Sequence, residues 1–327
     1  MDSTWFCFTW DVPADGYRWL PGRPINQGPR SKPSPYLTRL TTYTDSFLNR
    51  RYDAHQVPRS LFRTFTDVPT TEEGILAFAN EYGGLGVAEP FQPKVSDVTV
   101  VGEPLQGEPF ARWQQEIVTM RQLTALWDLC QKKDLEGLAR HIRWTDDHGP
   151  RTVRYSHSCG EPDEGEVAGT SSDEVVLASP SHHPEWLVQW SPGDVMLPAL
   201  FYLADEINQH LHFREGMRMM WNPTQKQLAL RLPVGTLRDL LWAQFAEAIV
   251  SERSFRKCRT CGTWFELMPG LARTNRLFCS EGCRSKLYRT RQEEARRLHG
   301  EGKSVKEIAQ HLESDVRTIK GWVSSKQ

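Results

Sequence analysis

The sequence predicts an α+β protein, with a mostly helical N-terminal body that carries a small sheet and a compact, basic C-terminal part. Three observations support this prediction. Apolar residues in the body recur at helical spacing, and a few short segments have the composition of strands. Residues 253–327 hold 17 lysines and arginines against 8 acidic residues, whereas residues 1–252 hold 23 against 33. Four of the seven cysteines lie within one stretch of 26 residues in the basic part.

The composition excludes several classes of protein. With 39% hydrophobic and 25% charged residues, the chain has the average usage of a soluble globular protein. This excludes a collagen, a coiled-coil rod, a wholly disordered chain and a small disulfide scaffold. Residues 1–20 lack the basic and apolar segments of a targeting signal, and no run approaches the roughly 20 apolar residues that a membrane helix needs. We therefore expect a cytoplasmic protein with no membrane partner.

The first half of the body is predicted to begin with a proline-rich loop and to continue as helices. The run Pro21–Pro35 is rich in proline, which indicates a loop. Thr70 or Thr71 can cap a helix that Gly83 ends. A second helix is predicted over Pro109–Cys130, because its apolar residues recur every three or four positions and form one stripe: Trp113, Ile117, Met120, Leu123, Trp127 and Cys130.

The second half of the body is predicted to mix helices and strands. A short helix over Leu135–Ile142 precedes strands at Arg151–Ser156 and Val175–Ala178. Between these strands, residues 157–174 hold six acids and no base, which predicts a mobile acidic loop. The remaining elements are, in order, a helix over Val195–His212 with Leu200, Leu203, Ala204, Ile207 and Leu211 inward, a hairpin over Met217–Leu232, and a helix that Thr236 caps.

The cysteines of the basic part form two close pairs, Cys258/Cys261 and Cys279/Cys283, with 17 residues between them. This spacing is typical of a structural zinc site with four thiolate ligands, because four ligands complete a tetrahedral shell. Gly262 can adopt the positive φ that a tight turn often needs. A helix is predicted to begin at the second pair, where its positive end favours thiolate. Together these features predict a treble-clef zinc finger over residues 253–290.

The remaining residues, 291–327, are predicted to form a helix-turn-helix of three helices. Ser304 and Glu307 are spaced as a capping box at the start of a helix over Val305–Leu312. A short turn, Glu313–Asp315, follows this helix. Its first residue, Glu313, occupies a position at which many such turns have glycine. The preceding helix, about Tyr288–His299, completes the unit. The last helix has apolar residues at intervals of three, which predicts its inward face: Val316, Ile319 and Trp322.

The excess positive charge of this part predicts double-stranded DNA as its partner. The last helix would enter the major groove, where Arg317, Thr318 and Lys320 are placed to contact base edges. Eight further cations are suited to the phosphate backbone, where they would supply salt-dependent affinity: Arg284, Lys286, Arg289, Arg291, Arg296, Arg297, Lys303 and Lys306.

The cysteine unit resembles the treble-clef fingers of bacterial CGNR-type proteins. Besides the cysteine pairs, the resemblance rests on Phe255, Lys257 and the runs Gly262–Phe265, Phe278–Ser280 and Cys283–Arg289. The segment Cys283-Arg-Ser-Lys stands in place of the name-giving CGNR. The resemblance implies a stress-linked or regulatory DNA-binding protein with a mostly helical N-terminal domain. The terminal helices separately resemble those of bacterial regulators, resolvases and transposon proteins.

Two functions stay open from the sequence. The first is a nucleoid-associated transcriptional regulator whose acidic body senses a ligand, docks a partner protein or forms a homodimer that reads two half-sites. The second is a mobile-element or defence effector, with an enzymatic body that the C-terminal part targets to nucleic acid. No carboxylate pair with a lysine at nuclease spacing and no convincing triad is visible, which favours the first. An RNA-binding or protein-docking scaffold is a third, less specific interpretation.

Overall fold

The structure is a computed structural model that describes residues 6–7, 9–25, 32–40, 50–53, 57–95, 98–99, 104–145, 151–157, 174–211, 218–222, 227–233, 235–267 and 275–324. Helices and small sheets occur together, which confirms the α+β class. The chain divides into an N-terminal unit, Met1–Glu252, and a C-terminal unit, Arg253–Gln327. The division falls where the net charge changes sign. Most of the predicted acidic loop, residues 158–173, lies outside the described residues.

The elements of the N-terminal unit alternate between strands and helices. Its helices are α1 (Leu61–Thr66), α2 (Glu72–Tyr82), α3 (Phe110–Lys132), α4 (Leu135–Ala139), α5 (Pro184–Gln189), α6 (Met196–His210) and α7 (Leu237–Val250). Its strands are β1 (Phe6–Cys7), β2 (Thr9–Val12), β3 (Tyr17–Pro24), β4 (Ser34–Arg39), β5 (Arg50–Asp53), β6 (Glu89–Val95), β7 (Val98–Thr99), β8 (Leu105–Pro109), β9 (Ile142–Thr145), β10 (Thr152–Ser156), β11 (Glu174–Ala178), β12 (Arg218–Asn222) and β13 (Gln227–Pro233).

The C-terminal unit has fewer elements: β14 (Ser254–Lys257), β15 (Trp264–Leu267), α8 (Glu281–Gly300), α9 (Val305–His311) and α10 (Val316–Ser324). None of the helices that the structure describes, in either unit, has the length and apolar character needed to cross a membrane.

A ring of four strands forms one part of the N-terminal unit. The strand order is β3-β4-β8-β6-β7, and β3 also pairs with β6, so that β3, β4, β8 and β6 close on themselves. Phe91 is fully buried in the ring, and its side chain stacks on Tyr36 with the ring centroids 4.2 Å apart. Gly22 and Gly107 make room for it, because a Cβ atom at these positions would lie 2.1 Å and 2.8 Å from the Phe91 ring.

The predicted loop over Pro21–Pro35 is wrong at both ends, because β3 continues to Pro24 and β4 begins at Ser34. Pro21 lies opposite Pro35 in the β3–β4 pair. In an antiparallel pair of strands, facing residues alternate between pairs that exchange two backbone hydrogen bonds and pairs that exchange none. Two prolines can face each other at a position of the second kind, because no N–H group is needed there. The body therefore contains this ring and further small sheets rather than a single small sheet.

The helix predicted over Pro109–Cys130 is confirmed as α3, and its apolar stripe forms the centre of a helical core. Each residue of the stripe, from Trp113 to Cys130, is at most 7% exposed. α3 packs against α1 and α6, and α1 packs against α7. Trp127 on α3 meets Phe245 on α7, with the ring centroids 5.8 Å apart. A long helix is stable here because it buries one whole face.

Other helices of the body confirm the prediction only in part. The short helix α4 ends at Ala139, and Ile142 already begins β9. In α6, Leu203 and Ile207 are buried as predicted, but Leu200 and Ala204 are exposed. The inward face is instead completed by Ala199 and Tyr202. The α6 sequence is apolar on more than one side, so periodicity alone did not identify the buried face. The predicted hairpin is confirmed as β12 and β13, and the helix after Thr236 as α7.

Two buried glutamates, Glu108 on β8 and Glu116 on α3, each accept several hydrogen bonds from other segments of the N-terminal unit. The Glu108 carboxylate accepts hydrogen bonds from the N–H groups of Leu85 (2.9 Å) and Gly86 (2.6 Å) and from Trp113 Nε1 (2.9 Å). The Glu116 carboxylate accepts from Arg238 Nε (2.6 Å) and Trp242 Nε1 (3.1 Å), which ties α3 to α7. The Val87 N–H also donates to the Glu108 carboxylate. The Arg238 guanidinium also contacts His210 Nδ1 through another of its nitrogens.

The substitution Glu108→Gln tests the importance of the first network. An amide places two N–H donors among groups that themselves donate, so we expect the free energy of unfolding to fall by about 2 kcal/mol. Urea unfolding of the full chain, followed by circular dichroism, measures the change. Glu89→Gln, on the neighbouring strand β6, is the matched control and should change stability by less than about 0.5 kcal/mol, because Glu89 is exposed. Equal losses in both variants would contradict this prediction.

Candidate metal centre and basic helical surface

The first cysteine pair lies in the tight turn between β14 and β15. These strands are antiparallel, with Lys257 opposite Trp264. The Cys258 N–H donates to the Thr263 carbonyl at 2.9 Å, and the Gly262 N–H donates to the Cys258 carbonyl at 2.9 Å. Gly262 has a φ of +72°, as predicted, and glycine adopts this conformation without steric cost. The turn therefore points both cysteines to one side.

The second cysteine pair lies at the start of α8. Ser280 caps this helix, and its hydroxyl accepts a hydrogen bond from the Cys283 N–H at 3.2 Å. The Thr260 hydroxyl donates to the Cys283 carbonyl at 2.8 Å, which joins the first turn to α8. Cys283 therefore lies in the first turn of α8, next to the cap.

Arg276 fixes the segment that leads to the second pair, and sequence analysis did not identify its role. Its guanidinium donates to the carbonyls of Phe278 (2.8 Å) and Cys279. The same group lies over the Phe265 ring, 5.1 Å from its centroid. A cation thus holds the cysteine segment against β15. A single arginine before a cysteine has no pattern of its own, so only the fold reveals this contact.

The four sulfur atoms lie close together. The Cys261 and Cys279 sulfurs are 3.6 Å apart, the Cys279 and Cys283 sulfurs 3.5 Å, and all four lie within 4.8 Å of one another. Sulfurs that bind zinc at about 2.3 Å in a tetrahedron are roughly 3.8 Å apart, so the donor set and its spacing fit this ion. In the part of the chain that the structure describes, no other group brings three or more such ligands together. The four cysteines could therefore hold a metal ion.

The thiols of the cluster affect one another's ionisation. Burial opposes ionisation of Cys258, but hydrogen bonds from the N–H groups of Cys261, Cys279 and Thr260 outweigh it and lower the pKa of its thiol to about 6. Burial and hydrogen bonds to the neighbouring sulfurs raise the pKa of Cys279 to about 12. Cys258 and Cys279 therefore differ in how readily they ionise, and a bound cation would favour the thiolate form of both.

The helices α8, α9 and α10 share a small apolar core. Ile308 and Ile319 are fully buried at its centre, and the remaining members complete it: Ala295, Leu298, Ala309 and Trp322. Two predicted members of the inward face lie elsewhere, because Val316 is 46% exposed and Tyr288 is 52% exposed. Tyr288 still contributes, since its hydroxyl accepts a hydrogen bond from Trp322 Nε1 at 2.7 Å.

The start of α9 is capped as the sequence predicts, and the turn before α10 has hydrogen bonds of its own. Ser304 and Glu307 form a capping box, with the Ser304 N–H 2.8 Å from the Glu307 carboxylate. After α9, Glu313 adopts a φ of +45°, which is the left-handed region that favours glycine. The Ser314 N–H then donates to the Ala309 carbonyl at 2.9 Å, and the Asp315 carboxylate accepts from the Arg317 N–H at 2.7 Å. The turn is therefore tight, although no glycine is present in it.

The cysteine cluster and the helical core are connected by one helix. α8 is 20 residues long, begins at the second cysteine pair and ends in the helical core. At about 1.5 Å per residue, it spans about 30 Å. The predicted boundary between residues 290 and 291 lies inside this helix. The reason is that Ser280 caps a helix that nothing interrupts before Gly302.

The structure places the predicted DNA contacts in two groups. Arg296 and Arg297 are engaged within the unit: Arg296 Nε donates to the Trp322 carbonyl at 3.1 Å, and Arg297 forms ion pairs with Glu294 and Glu301. Arg291 donates to the Glu313 carbonyl, and Arg284 pairs with Glu281 at 3.7 Å. The other cations are exposed to solvent: Lys286, Arg289, Lys303, Lys306, Arg317 and Lys320.

The exposed face of α10 carries the cations that matter most to the prediction. Arg317 and Lys320 are exposed on it, away from the buried residues Ile319 and Trp322, and Thr318 is exposed beside Trp322. Among the residues that the structure describes, the Arg317 and Lys320 side chains form no ion pair. This face is therefore positive and open to a ligand.

Comparison of the chain with protein-family models, with curated proteins and with solved structures found no match. The resemblance to CGNR-type fingers therefore stays a prediction from the cysteine pairs and their neighbours.

The substitution Glu313→Gly tests the strain in the turn before α10. Glycine removes the Cβ clash of the left-handed conformation, so we expect the C-terminal unit to gain about 1 kcal/mol of stability. Hydrogen exchange at the amides of α9 and α10 measures this locally in the full chain. Glu313→Ala is the control, because it removes the same charge but retains the Cβ atom. Equal protection in the two variants would show that the backbone conformation carries no strain.

Proposed function

We propose that the C-terminal unit is a DNA-binding module in which a zinc-bound treble clef supports a helix-turn-helix. In this proposal Cys258, Cys261, Cys279 and Cys283 hold a structural Zn²⁺ ion, and α9 and α10 are the two helices of the helix-turn-helix. Support comes from the sulfur distances, the cap at Ser280 and the shared core of α8, α9 and α10. The module would be a zinc finger and a helix-turn-helix joined by α8.

The single observation that carries the proposal is the amphipathic character of α10. One side of this helix is buried through Ile319 and Trp322, so that its orientation is fixed by packing. The other side exposes Arg317, Thr318 and Lys320. Arginine can bind guanine through two hydrogen bonds in the major groove, and lysine can bind guanine or phosphate. A fixed helix with an open, positive face suits the reading of duplex DNA.

Contacts to the phosphate backbone would come from exposed cations on α8 and at the start of α9. Lys286 and Arg289 lie on the first, and Lys303 and Lys306 lie beside the second. Arg284 would join them after exchanging Glu281 for a phosphate. Each such contact releases a counterion, so the affinity should fall steeply with salt. Arg291 and Arg296 would mainly hold the unit together, because they donate to the carbonyls of Glu313 and Trp322, whereas Arg297 pairs only with acids close to it in the sequence.

For the whole chain we propose a transcriptional regulator that is cytoplasmic and associated with the nucleoid. The N-terminal unit carries a net charge of −10, which is unfavourable for contact with DNA. Its role would be to bind a ligand or a partner protein, or to form a homodimer. A dimer would bring two α10 helices to two half-sites and so raise an affinity that one helix alone leaves modest.

The substitution Cys258→Ser tests the metal centre. With three thiolates left, the shell is incomplete, so we expect the bound zinc to fall from about one ion per chain to a small fraction. Elemental analysis of the purified full chain measures this, and hydrogen exchange in β14, β15 and the start of α8 measures the loss of structure. Cys130→Ser is the matched control, because Cys130 lies buried in α3 of the other unit. A wild-type protein without zinc would contradict the proposal.

The double substitution Arg317→Ala and Lys320→Ala tests the DNA contact. We first select duplexes from a random library with the wild-type chain and measure binding by fluorescence anisotropy. Because a base contact is worth about 1–3 kcal/mol, the double variant should bind the selected duplex at least about tenfold more weakly. Arg297→Ala should bind almost as the wild type does, since Glu294 and Glu301 already neutralise that arginine.

Two outcomes would contradict the proposed DNA contact. One is unchanged affinity in the double variant, and the other is an equal loss in Arg297→Ala. Competition with structured RNA distinguishes a duplex-DNA reader from an RNA-binding scaffold, because the proposal requires that duplex DNA competes better.

A further inference from the structure

A cavity of about 300 Å³ lies in the N-terminal unit between β11, α5 and α6. β11 is the edge strand of the sheet β11-β10-β9, so its outer side is available to form a wall. The volume is at the lower end of the range for small-molecule sites. The polar and aromatic side chains that line the cavity are His182, His183, Trp186, Tyr202, Asp205, Glu206 and Gln209.

Aromatic rings provide firm walls for this cavity. His183 stacks on Trp186 with the ring centroids 4.1 Å apart and the planes 7° from parallel. Tyr202 stacks on Tyr155, which lies behind it, at 4.0 Å. The faces of tryptophan and tyrosine rings carry partial negative charge and attract cations. The rings of Trp186 and Tyr202 are each held in place by a neighbouring ring, so a ligand would bind without having to restrict their motion.

Two neighbouring carboxylates reach the same cavity. Asp205 accepts a hydrogen bond from Gln209 Nε2 at 2.9 Å, and Glu206 accepts one from the Tyr202 hydroxyl. None of the described residues that line the cavity is lysine or arginine. Within the described part of the chain, neither carboxylate forms an ion pair. Two adjacent carboxylates without a positive partner repel each other, and a bound cation would relieve this repulsion.

The environment of Glu206 agrees with this. Burial raises the pKa of Glu206, the hydrogen bond from Tyr202 lowers it, and the charge of Asp205 raises it further. Among the described residues, no cation contributes to this shift. The groups also do not converge as metal ligands, because in the described residues only the four cysteines bring three or more ligand atoms together. An anion would be repelled, so a positively charged organic molecule fits the cavity best.

We propose that this cavity binds a small organic ammonium ion, that is, a primary or methylated amine. The N–H groups of the ligand would donate to Glu206 and Asp205, and its carbon-bound hydrogens would pack against Trp186 and Tyr202. A cation that has lost its hydration shell is stabilised by aromatic ring faces and by carboxylates, and this cavity offers both. The ammonium ion would be a ligand of the N-terminal unit, and its binding does not depend on whether the C-terminal unit binds DNA.

The test uses the full-length protein and isothermal titration calorimetry. The probes are methylamine, tetramethylammonium and benzylamine, and benzyl alcohol is the neutral analogue of the last. We expect at least one of the ammonium compounds to bind, and benzyl alcohol to give no heat of binding at the same concentration. Glu206→Gln should weaken ammonium binding at least about tenfold, because one charge-assisted hydrogen bond becomes neutral. Trp186→Ala should also weaken it, whereas Trp186→Phe should restore part of the affinity.

The matched control is Glu136→Gln, which removes one negative charge from α4 of the same unit. Glu136 is 88% exposed and does not line the cavity, so its substitution should leave the affinity unchanged. Circular dichroism checks that Glu206→Gln folds as the wild type does. The proposal is overturned if no ammonium compound binds at millimolar concentration, if benzyl alcohol binds as well as benzylamine, or if folded Glu206→Gln binds as tightly as the wild type.

Discussion

The closure of four sulfur atoms around one point is the constraint on which the C-terminal unit depends. The turn at Cys258 and Cys261 and the start of α8 have little apolar contact of their own. Cys258 is buried, but the side chains around it are half-buried or exposed. Hydrogen bonds from Thr260 and Arg276 orient these segments, but each is worth only about 1–3 kcal/mol. A metal bound by four thiolates is worth far more, and much of that energy becomes folding energy in small metal-binding units.

The direction of α8 transmits this constraint to the positive surface. Cys283 is in the first turn of the helix, and Ala295 and Leu298 near its end are buried against α9 and α10. A helix is stiff over such a length, so the position of the cysteine cluster and the orientation of α10 are coupled. The paired arginines of the unit serve this rigidity, while Arg317 and Lys320 stay open. The positive charges of the C-terminal unit are thus divided between arginines that are paired within it and cations that stay exposed.

Much of this fold follows from patterns that are local in the sequence, and the rest does not. The stripe of α3, the capping box at Ser304 and the cysteine spacing depend on residues a few positions apart, so they could be predicted. The prolines of β3 and β4 misled the prediction, because only the partner strand shows that Pro21 and Pro35 face each other. The face of α6 was misassigned for a similar reason, since its apolar residues occupy more than one side. The predicted boundary at residue 290 falls inside α8, which runs from the second cysteine pair to the helical core.

The two candidate sites also differ in how far the sequence predicts them. The four cysteines are recognisable in the sequence, whereas the cavity beside β11 joins residues from separate elements and has no sequence signature. In the function proposed above, the four cysteines hold one zinc ion that fixes the position of α9 and α10. X-ray absorption at the zinc edge of the purified full chain tests it most directly. We predict four sulfur neighbours at about 2.3 Å and no nitrogen or oxygen in the first shell. A first shell that contains nitrogen or oxygen, or a chain without zinc, would contradict the claim.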